Sequence, residues 1–74
     1  MTMIADDTVV TVREEQVRGY DLVITAERER RLEAWLMICR ADGELYLARA
    51  TDYPEECAAG IIKEFAADVE RGWW

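Results

Sequence analysis

The dipeptide Asp42-Gly43 lies between two apolar runs, and it constrains the fold of this chain more than any other short feature. A two-residue type I′ turn needs a positive φ at both of its positions, and Asp-Gly is one of the few pairs that tolerate this conformation. The pair therefore predicts a β-hairpin in which residues 33–41 run antiparallel to residues 44–50.

A competing pattern covers residues 26–42. Thr25 is a suitable N-cap for a helix, and Gly43 is suitable as the residue that follows its last turn. Four apolar side chains would then share one helix face: Leu32, Trp35, Leu36 and Cys39. The bulky, partly β-branched residues 35–39 favour a strand, so we prefer the hairpin and keep the helix as the alternative.

The N-terminal third of the chain predicts two further strands. Residues 8–12 are β-branched throughout, which is typical of a strand. The polar residues 13–19 are expected to turn the chain, and residues 20–25 then alternate between apolar and polar side chains as a second strand.

The last segment predicts a helix. Asp52 or Tyr53 would cap it, Pro54 suits the first turn, and Gly72 ends it, with Trp73 folding back as a lid on the sheet. Its apolar side chains recur at helical spacing: Ala58, Ile61, Ile62, Phe65, Ala66 and Val69.

The predicted fold class is α+β: an antiparallel meander of about four strands covered by one C-terminal helix, ββββα, with ββαβα as the fallback. Residues 1–74 are expected to form a single domain with a small hydrophobic core.

The residue inventory argues against an enzyme. The chain has no His and no Ser, so it cannot build a Ser-His triad, a Cys-His dyad or an imidazole metal site. Its two cysteines, Cys39 and Cys57, are isolated from each other in sequence, which excludes a zinc knuckle or a redox CxxC motif. Adjacent carboxylates on a strand or helix point in different directions and make no acid–base dyad. We therefore predict no catalysis, no metal and no cofactor.

Charge and targeting features point to a cytoplasmic protein with a basic partner. The start of the chain has no basic n-region followed by an apolar stretch, and no apolar run is long enough to span a membrane. The net charge of -7 disfavours direct binding to nucleic acid, which needs clustered Lys and Arg. An Arg- or Lys-rich protein surface is the better partner.

The candidate partner-binding residues are carboxylates. The outer face of the predicted C-terminal helix supplies the main set, and two acidic doublets near the N-terminus supply secondary anchors. Carboxylates about 5–7 Å apart can roughly imitate the charge spacing of a phosphate backbone. The predicted site comprises Glu56, Glu64, Asp68, Asp6, Asp7, Glu14 and Glu15.

In overall character the chain resembles small acidic phage-encoded inhibitors of the anti-CRISPR type. The shared features are a very short chain, one α+β domain, strong net acidity and the lack of a catalytic inventory. The resemblance implies a protein that binds a host nuclease or a DNA-surveillance complex, such as a CRISPR effector, and acts as a DNA mimic in the basic groove meant for nucleic acid. It carries over no individual residue.

A homodimeric structural or regulatory module, such as a phage assembly factor or an antitoxin-like partner, is the alternative. In the simplest register of the predicted hairpin, Cys39 faces Tyr46. Both faces of this hairpin are then largely apolar, but the single predicted helix can cover only one of them. A second copy could then bind through one of two sets: Trp35, Met37 and Tyr46, or Leu36, Leu45 and Leu47. The N-terminal residues 1–4 could instead cover the second face.

Overall fold

The computed structural model describes residues 8–28 and 34–74. They form a four-stranded antiparallel sheet followed by one helix, in the order β1 (Thr8–Val17), β2 (Tyr20–Arg28), β3 (Trp35–Ala41), β4 (Glu44–Thr51) and α1 (Pro54–Glu70). Each strand pairs with the next along the chain, so the sheet is a meander with β1 and β4 at its edges. The predicted ββββα architecture is confirmed. The helical alternative for residues 26–42 is wrong, because residues 26–28 belong to β2 and 35–41 to β3.

Two turns of the same kind connect the paired strands at one end of the sheet. Arg18 and Gly19 have φ values of 51° and 87°, and Asp42 and Gly43 have φ values of 50° and 85°. Positive φ at both central positions is the type I′ geometry that suits the twist of a hairpin. The hairpin predicted from Asp42-Gly43 is therefore confirmed.

The first strand is longer than the sequence predicts. Residues 13–17 were expected to turn the chain, but they continue β1, and only Arg18 and Gly19 form the turn. The physical reason is that β1 is an edge strand, where charged side chains reach water while the backbone still pairs with β2. Arg13 and Glu15, two positions apart on one face, form an ion pair of 2.9 Å.

A β-bulge changes the register of the second hairpin. Beyond Arg40 and its partner Leu45 the pairing shifts, so that Cys39 faces Leu47 and Tyr46 is the extra residue. The register in which Cys39 faces Tyr46 is therefore wrong. A bulge sets two residues against one, and here both Tyr46 and Leu47 pack against the core.

The core lies between α1 and one face of the sheet. The helix contributes Ala58, Ile61 and Phe65, all fully buried. The central strands contribute alternate residues, also inaccessible to solvent: Leu22, Ile24, Ala26, Met37, Cys39 and Ala41. The remaining residues of the predicted stripe, Ile62, Ala66 and Val69, pack at its margin, so the predicted helix face is confirmed. Full burial of a large apolar side chain contributes about 1.5–3 kcal/mol.

The helix begins and ends close to the predicted positions. Tyr53 is the N-cap residue and makes no side-chain capping bond, and Pro54 is the first helical residue. At the other end Gly72 has a φ of 83°, and the Trp73 N–H donates to the Asp68 carbonyl at 2.8 Å. This bond is the one that closes a Schellman motif.

The residue that folds back at the C-terminus is Trp74, and the predicted role of Trp73 as a lid is wrong. The Trp74 ring packs edge-on against Tyr20, Tyr46 and Phe65, with centroid distances of 5.6–5.8 Å. Trp73 is 70% exposed, and the Arg71 guanidinium stacks on it, 5.1 Å from its ring centroid. The reversal of direction at Gly72 brings the second indole, and not the first, over the core.

Candidate functional site

The structure separates the predicted acidic residues into groups with different environments. Asp6 and Asp7 lie outside the described residues. Glu14 and Glu15 lie on opposite faces of β1, since consecutive strand residues alternate. Glu56 lies in the first turn of α1, whereas Glu64 and Asp68 lie one turn apart further along it.

Glu64 is tied to the sheet. Its two carboxylate oxygens accept hydrogen bonds from the Arg49 guanidinium on β4, at 2.8 and 3.2 Å. The hydrogen bond from Arg49 is the main cause that lowers the pKa of Glu64. Both side chains are nearly half-exposed. The charge of Glu64 is thus offset by a neighbouring cation.

Asp68 also faces β4 and has two intramolecular partners. It accepts a hydrogen bond from the Tyr46 hydroxyl and another from Arg71 at 3.2 Å. Burial raises the pKa of Tyr46, and the bond to Asp68 raises it further, so this tyrosine stays protonated and remains a donor. Only 22% of the Asp68 side chain is exposed. Glu64 and Asp68 therefore hold the helix on the sheet.

Glu14 and Glu56 are the predicted residues that remain oriented to water. Both are exposed, and the ion pairs found within residues 8–28 and 34–74 do not involve either of them. Glu15, in contrast, pairs with Arg13. Glu56 has a like-charged neighbour in Glu55, and both lie where the helix dipole favours anions.

Asp42 makes a long-range contact that the sequence did not predict. The Asp21 N–H donates to an Asp42 carboxylate oxygen at 2.8 Å, and the Asp42 N–H donates to the Asp21 carbonyl at 2.9 Å. These bonds hold the Asp42 carboxylate against the backbone of Asp21 beside the hairpin turns, although the two residues are far apart in sequence. The signal that could have found them is the hairpin register, which places Asp21 next to Asp42 once Leu22 is paired with Ala41.

The sheet face turned away from α1 is called the outer face here. It carries seven apolar residues. Val9 lies on β1 opposite Glu27, and the other six, on β2, β3 and β4, are called the apolar outer patch: Val23, Leu36, Ile38, Leu45, Ala48 and Ala50. Leu45 is 60% exposed and Leu36 is 36% exposed. The described helix lies on the opposite face, so it leaves this patch open.

The structure corrects both sets of residues proposed as a dimer interface. Met37 is fully buried under α1, and Trp35 and Tyr46 pack beside it, so this first set is the covered face. Of the second set, Leu36 and Leu45 do lie on the outer face. Leu47 points to the helix because of the bulge at Tyr46. The suggested cover for this face, residues 1–4, lies outside the described residues.

The thiols and carboxylates of the described segments do not converge on a common centre. Cys39 is fully buried, and its burial raises the pKa of its thiol to about 11, which disfavours the nucleophilic thiolate. Cys57 lies on α1 at the margin of the core. Within residues 8–28 and 34–74, no group of three or more Cys, Asp or Glu side chains is arranged to hold a metal ion.

The described part of the chain contains no helix that is both long enough and apolar enough to cross a bilayer. Comparison of the sequence and structure with known protein families, curated proteins and solved structures finds no match.

Proposed function

We propose that this chain is a non-enzymatic acidic binding protein, an inhibitor of the anti-CRISPR type. It docks on an Arg- and Lys-rich surface of a nucleic-acid-handling complex in the bacterial cytoplasm and blocks nucleic-acid binding there. A CRISPR effector complex is the partner class that we favour.

The observation that supports this proposal is the placement of the acidic charge. Among the described residues no charged side chain is buried, so every carboxylate there reaches the surface. The chain carries a net charge of -7. A surface field of one sign accelerates encounter with a surface of the opposite sign, and the resulting affinity falls as salt rises.

The helix start is the acidic surface that we assign first to the partner. Glu55 and Glu56 are exposed in the first turn of α1, and Asp52 precedes them in the connection from β4. Glu64 and Asp68 still contribute to the negative charge of the surface. Because they already accept hydrogen bonds within the chain, from Arg49, Arg71 and the Tyr46 hydroxyl, they attract a cation of another protein less strongly. Glu14 is the secondary anchor on β1.

The test is capture of the complex and loss of its DNA binding. The full chain is immobilised, exposed to lysate from bacteria with an active CRISPR system, and eluted along a NaCl gradient. We expect elution of the effector complex as salt rises, and we expect the purified complex to lose target-DNA binding when the chain is added. No capture of a nucleic-acid-binding complex, or capture with unchanged DNA binding, would contradict the proposal.

Matched variants locate the surface. The double variant Glu55→Gln/Glu56→Gln should weaken capture, because it removes two carboxylates without changing side-chain size. The control is Glu64→Gln/Asp68→Asn, which removes the same charge from the residues already held by β4 and Arg71. A larger effect of the control than of the first variant would move the interface to the middle of the helix.

A second candidate function is a homodimeric structural or regulatory module. The observation that favours it is the apolar outer patch, since exposed apolar patches mark interaction sites. Its test is the mass in solution by sedimentation equilibrium. A monomer at every concentration tested would exclude this candidate.

A further inference from the structure

The outer face combines two kinds of surface, and their arrangement follows from strand order. The apolar outer patch is concentrated on β3 and β4, which contribute Leu36, Ile38, Leu45, Ala48 and Ala50. Val23 extends it onto β2. Side chains in register form continuous rows across the sheet, so that Thr25, Ile38 and Ala48 lie in one row.

The β1–β2 half of the outer face carries three carboxylates, Glu14, Asp21 and Glu27, among uncharged residues that include exposed Val9. Glu14 pairs with Val23 across β1 and β2, and Glu27 lies in the same row as Leu36. Asp21 lies next to the turn that holds Asp42. The outer-facing cation of the described strands is Arg40, in the row between Val23 and Leu45. The apolar outer patch is therefore bordered on its β1–β2 side by carboxylates.

Charge argues against a second copy of the chain on this face. If two outer faces stacked with β1 over β1, their strands would run in opposite directions, and Glu14 would lie over Val9 of the other copy, next to its Glu27. If they stacked with β1 over β4, Glu14 would lie over Leu45 of the other copy. Glu27 would then lie over Leu36, where it would lose water without gaining a cation. Each copy also brings a net charge of -7.

The dimensions and charges fit a different occupant. Neighbouring strands are about 4.8 Å apart, so β3, β4 and the adjacent part of β2 present a strip roughly as wide as one helix, whose diameter is about 10 Å. The strip is apolar except for Arg40 at one end. A helix on that strip would extend its flanking side chains over Glu14, Asp21 and Glu27. Long cationic side chains there would meet carboxylates, and apolar side chains would meet Leu36, Ile38 and Leu45.

We propose that the outer face docks a basic amphipathic helix of a partner protein. Leu- or Ile-like side chains of that helix cover the apolar outer patch, and its Lys or Arg side chains pair with the carboxylates of β1 and β2. The inference rests on the proposed function, because it specifies how a basic partner is recognised. The inference adds an apolar contact to the charge interactions that the proposed function already includes.

The experiment titrates the isotopically labelled full chain with two synthetic peptides and follows its backbone amides by NMR. The first is an 18-residue peptide of Leu and Lys at amphipathic helical spacing, and the second has every Leu replaced by Ser at unchanged charge. We expect the Leu/Lys peptide to bind at least about tenfold more tightly, since it alone buries apolar surface. The amide shifts should concentrate on the strands β2, β3 and β4.

Two variants of the chain connect this binding to the patch. Leu36→Thr/Leu45→Thr should lower the affinity for the Leu/Lys peptide about tenfold, whereas Val10→Thr should leave it unchanged. Val10 is the matched control because it is 43% exposed and pairs with buried Ala26, on the helix side of the sheet. All three substitutions place a β-branched threonine in a strand, where such residues are favoured, and the amide spectrum of each variant reports whether it folds.

Several results would overturn the inference without affecting the proposed function. They are equal affinity for the two peptides, amide shifts confined to the first turn of α1, and unchanged binding of the Leu36→Thr/Leu45→Thr variant. Concentration-dependent shifts of the outer face without peptide would assign it to a second copy, and Overhauser contacts from residues 1–4 would assign it to the chain itself. Failure of the proposed function is a separate result, namely loss of capture in the lysate experiment.

Discussion

The guanidinium of Arg49 donates two hydrogen bonds to the carboxylate of Glu64, and this forked contact joins the edge strand β4 to the helix α1. The bulge at Tyr46 contributes to it, because the shifted register pairs Arg49 with Met37 on the covered side of the sheet. Glu64, which the sequence analysis predicted to bind a partner, therefore stabilises the packing of the helix on the sheet. Asp68 has a structural role as well, because its partner Tyr46 lies on β4, the strand that also carries Arg49.

Replacing Glu64 by Gln should lower the free energy of unfolding by about 0.2–1 kcal/mol, the usual range for a solvent-exposed pair. The measurement is urea denaturation of a double-mutant cycle with Arg49→Gln. We expect the double variant to lose less than the sum of the two single losses, because the first substitution already removes the interaction. Strict additivity would contradict a stabilising contact.

The Glu64 contribution should depend on pH in a defined direction. Since the folded pKa of Glu64 lies below its usual value, the stabilisation is complete above the unfolded pKa of about 4.3 and is lost as pH falls through the folded pKa. The stability difference between the wild type and Glu64→Gln should therefore be constant from pH 7 to 6 and shrink below about pH 4. Urea denaturation at these pH values measures it, and a difference that grows on acidification would contradict the assignment.

Local chemistry was enough to predict most of the fold. Asp42-Gly43 specifies a turn through its own φ preferences, and the stripe around Ile61 and Phe65 specifies a helix through spacing alone. These features depend on residues close in sequence. The end of β1 was not predictable in this way, because residues 13–17 are polar enough to look like a loop and become a strand only by pairing with β2.

The candidate site was less predictable, because its residues meet through tertiary register. The bulge at Tyr46 has no local signature, and without it Arg49 would lie on the opposite face from Glu64. The contact between Asp21 and Asp42 likewise requires the pairing of β2 with β3. Helical spacing showed that Glu64 and Asp68 share a side, but it could not show that β4 supplies their partners.

Two glycines should respond to alanine in opposite ways. Gly43 has a φ of 85°, which an L side chain rarely adopts, so Gly43→Ala should destabilise the protein by about 1–2 kcal/mol. Gly60 lies inside α1, and a Cβ built there meets nothing within 4 Å, so Gly60→Ala should stabilise it by about 0.5–1 kcal/mol. Thermal unfolding followed by circular dichroism checks both signs. A destabilising Gly60→Ala would indicate an unrecognised close approach to the helix.

The two cysteines should differ in reactivity. Cys39 is fully buried with a pKa of about 11, whereas Cys57 is partly exposed on the helix. At pH 8 a maleimide reagent should modify Cys57 alone, and Cys39 should react only in denaturant, which intact-mass spectrometry can count. Cys57→Ala should abolish labelling of the folded protein. Rapid double labelling of the native chain would show that the sheet opens under α1.

The adjacent tryptophans provide a matched pair for testing the C-terminal packing. Trp74 contacts the three rings of Tyr20, Tyr46 and Phe65. Trp74→Ala should therefore lower the free energy of unfolding by on the order of 2 kcal/mol, because it removes both buried apolar surface and the aromatic contacts. Trp73 is 70% exposed, so Trp73→Ala should change stability by less than about 0.5 kcal/mol. Urea denaturation followed by far-ultraviolet circular dichroism measures both without relying on indole fluorescence. Equal losses for the two variants would mean that the second indole does not close the core.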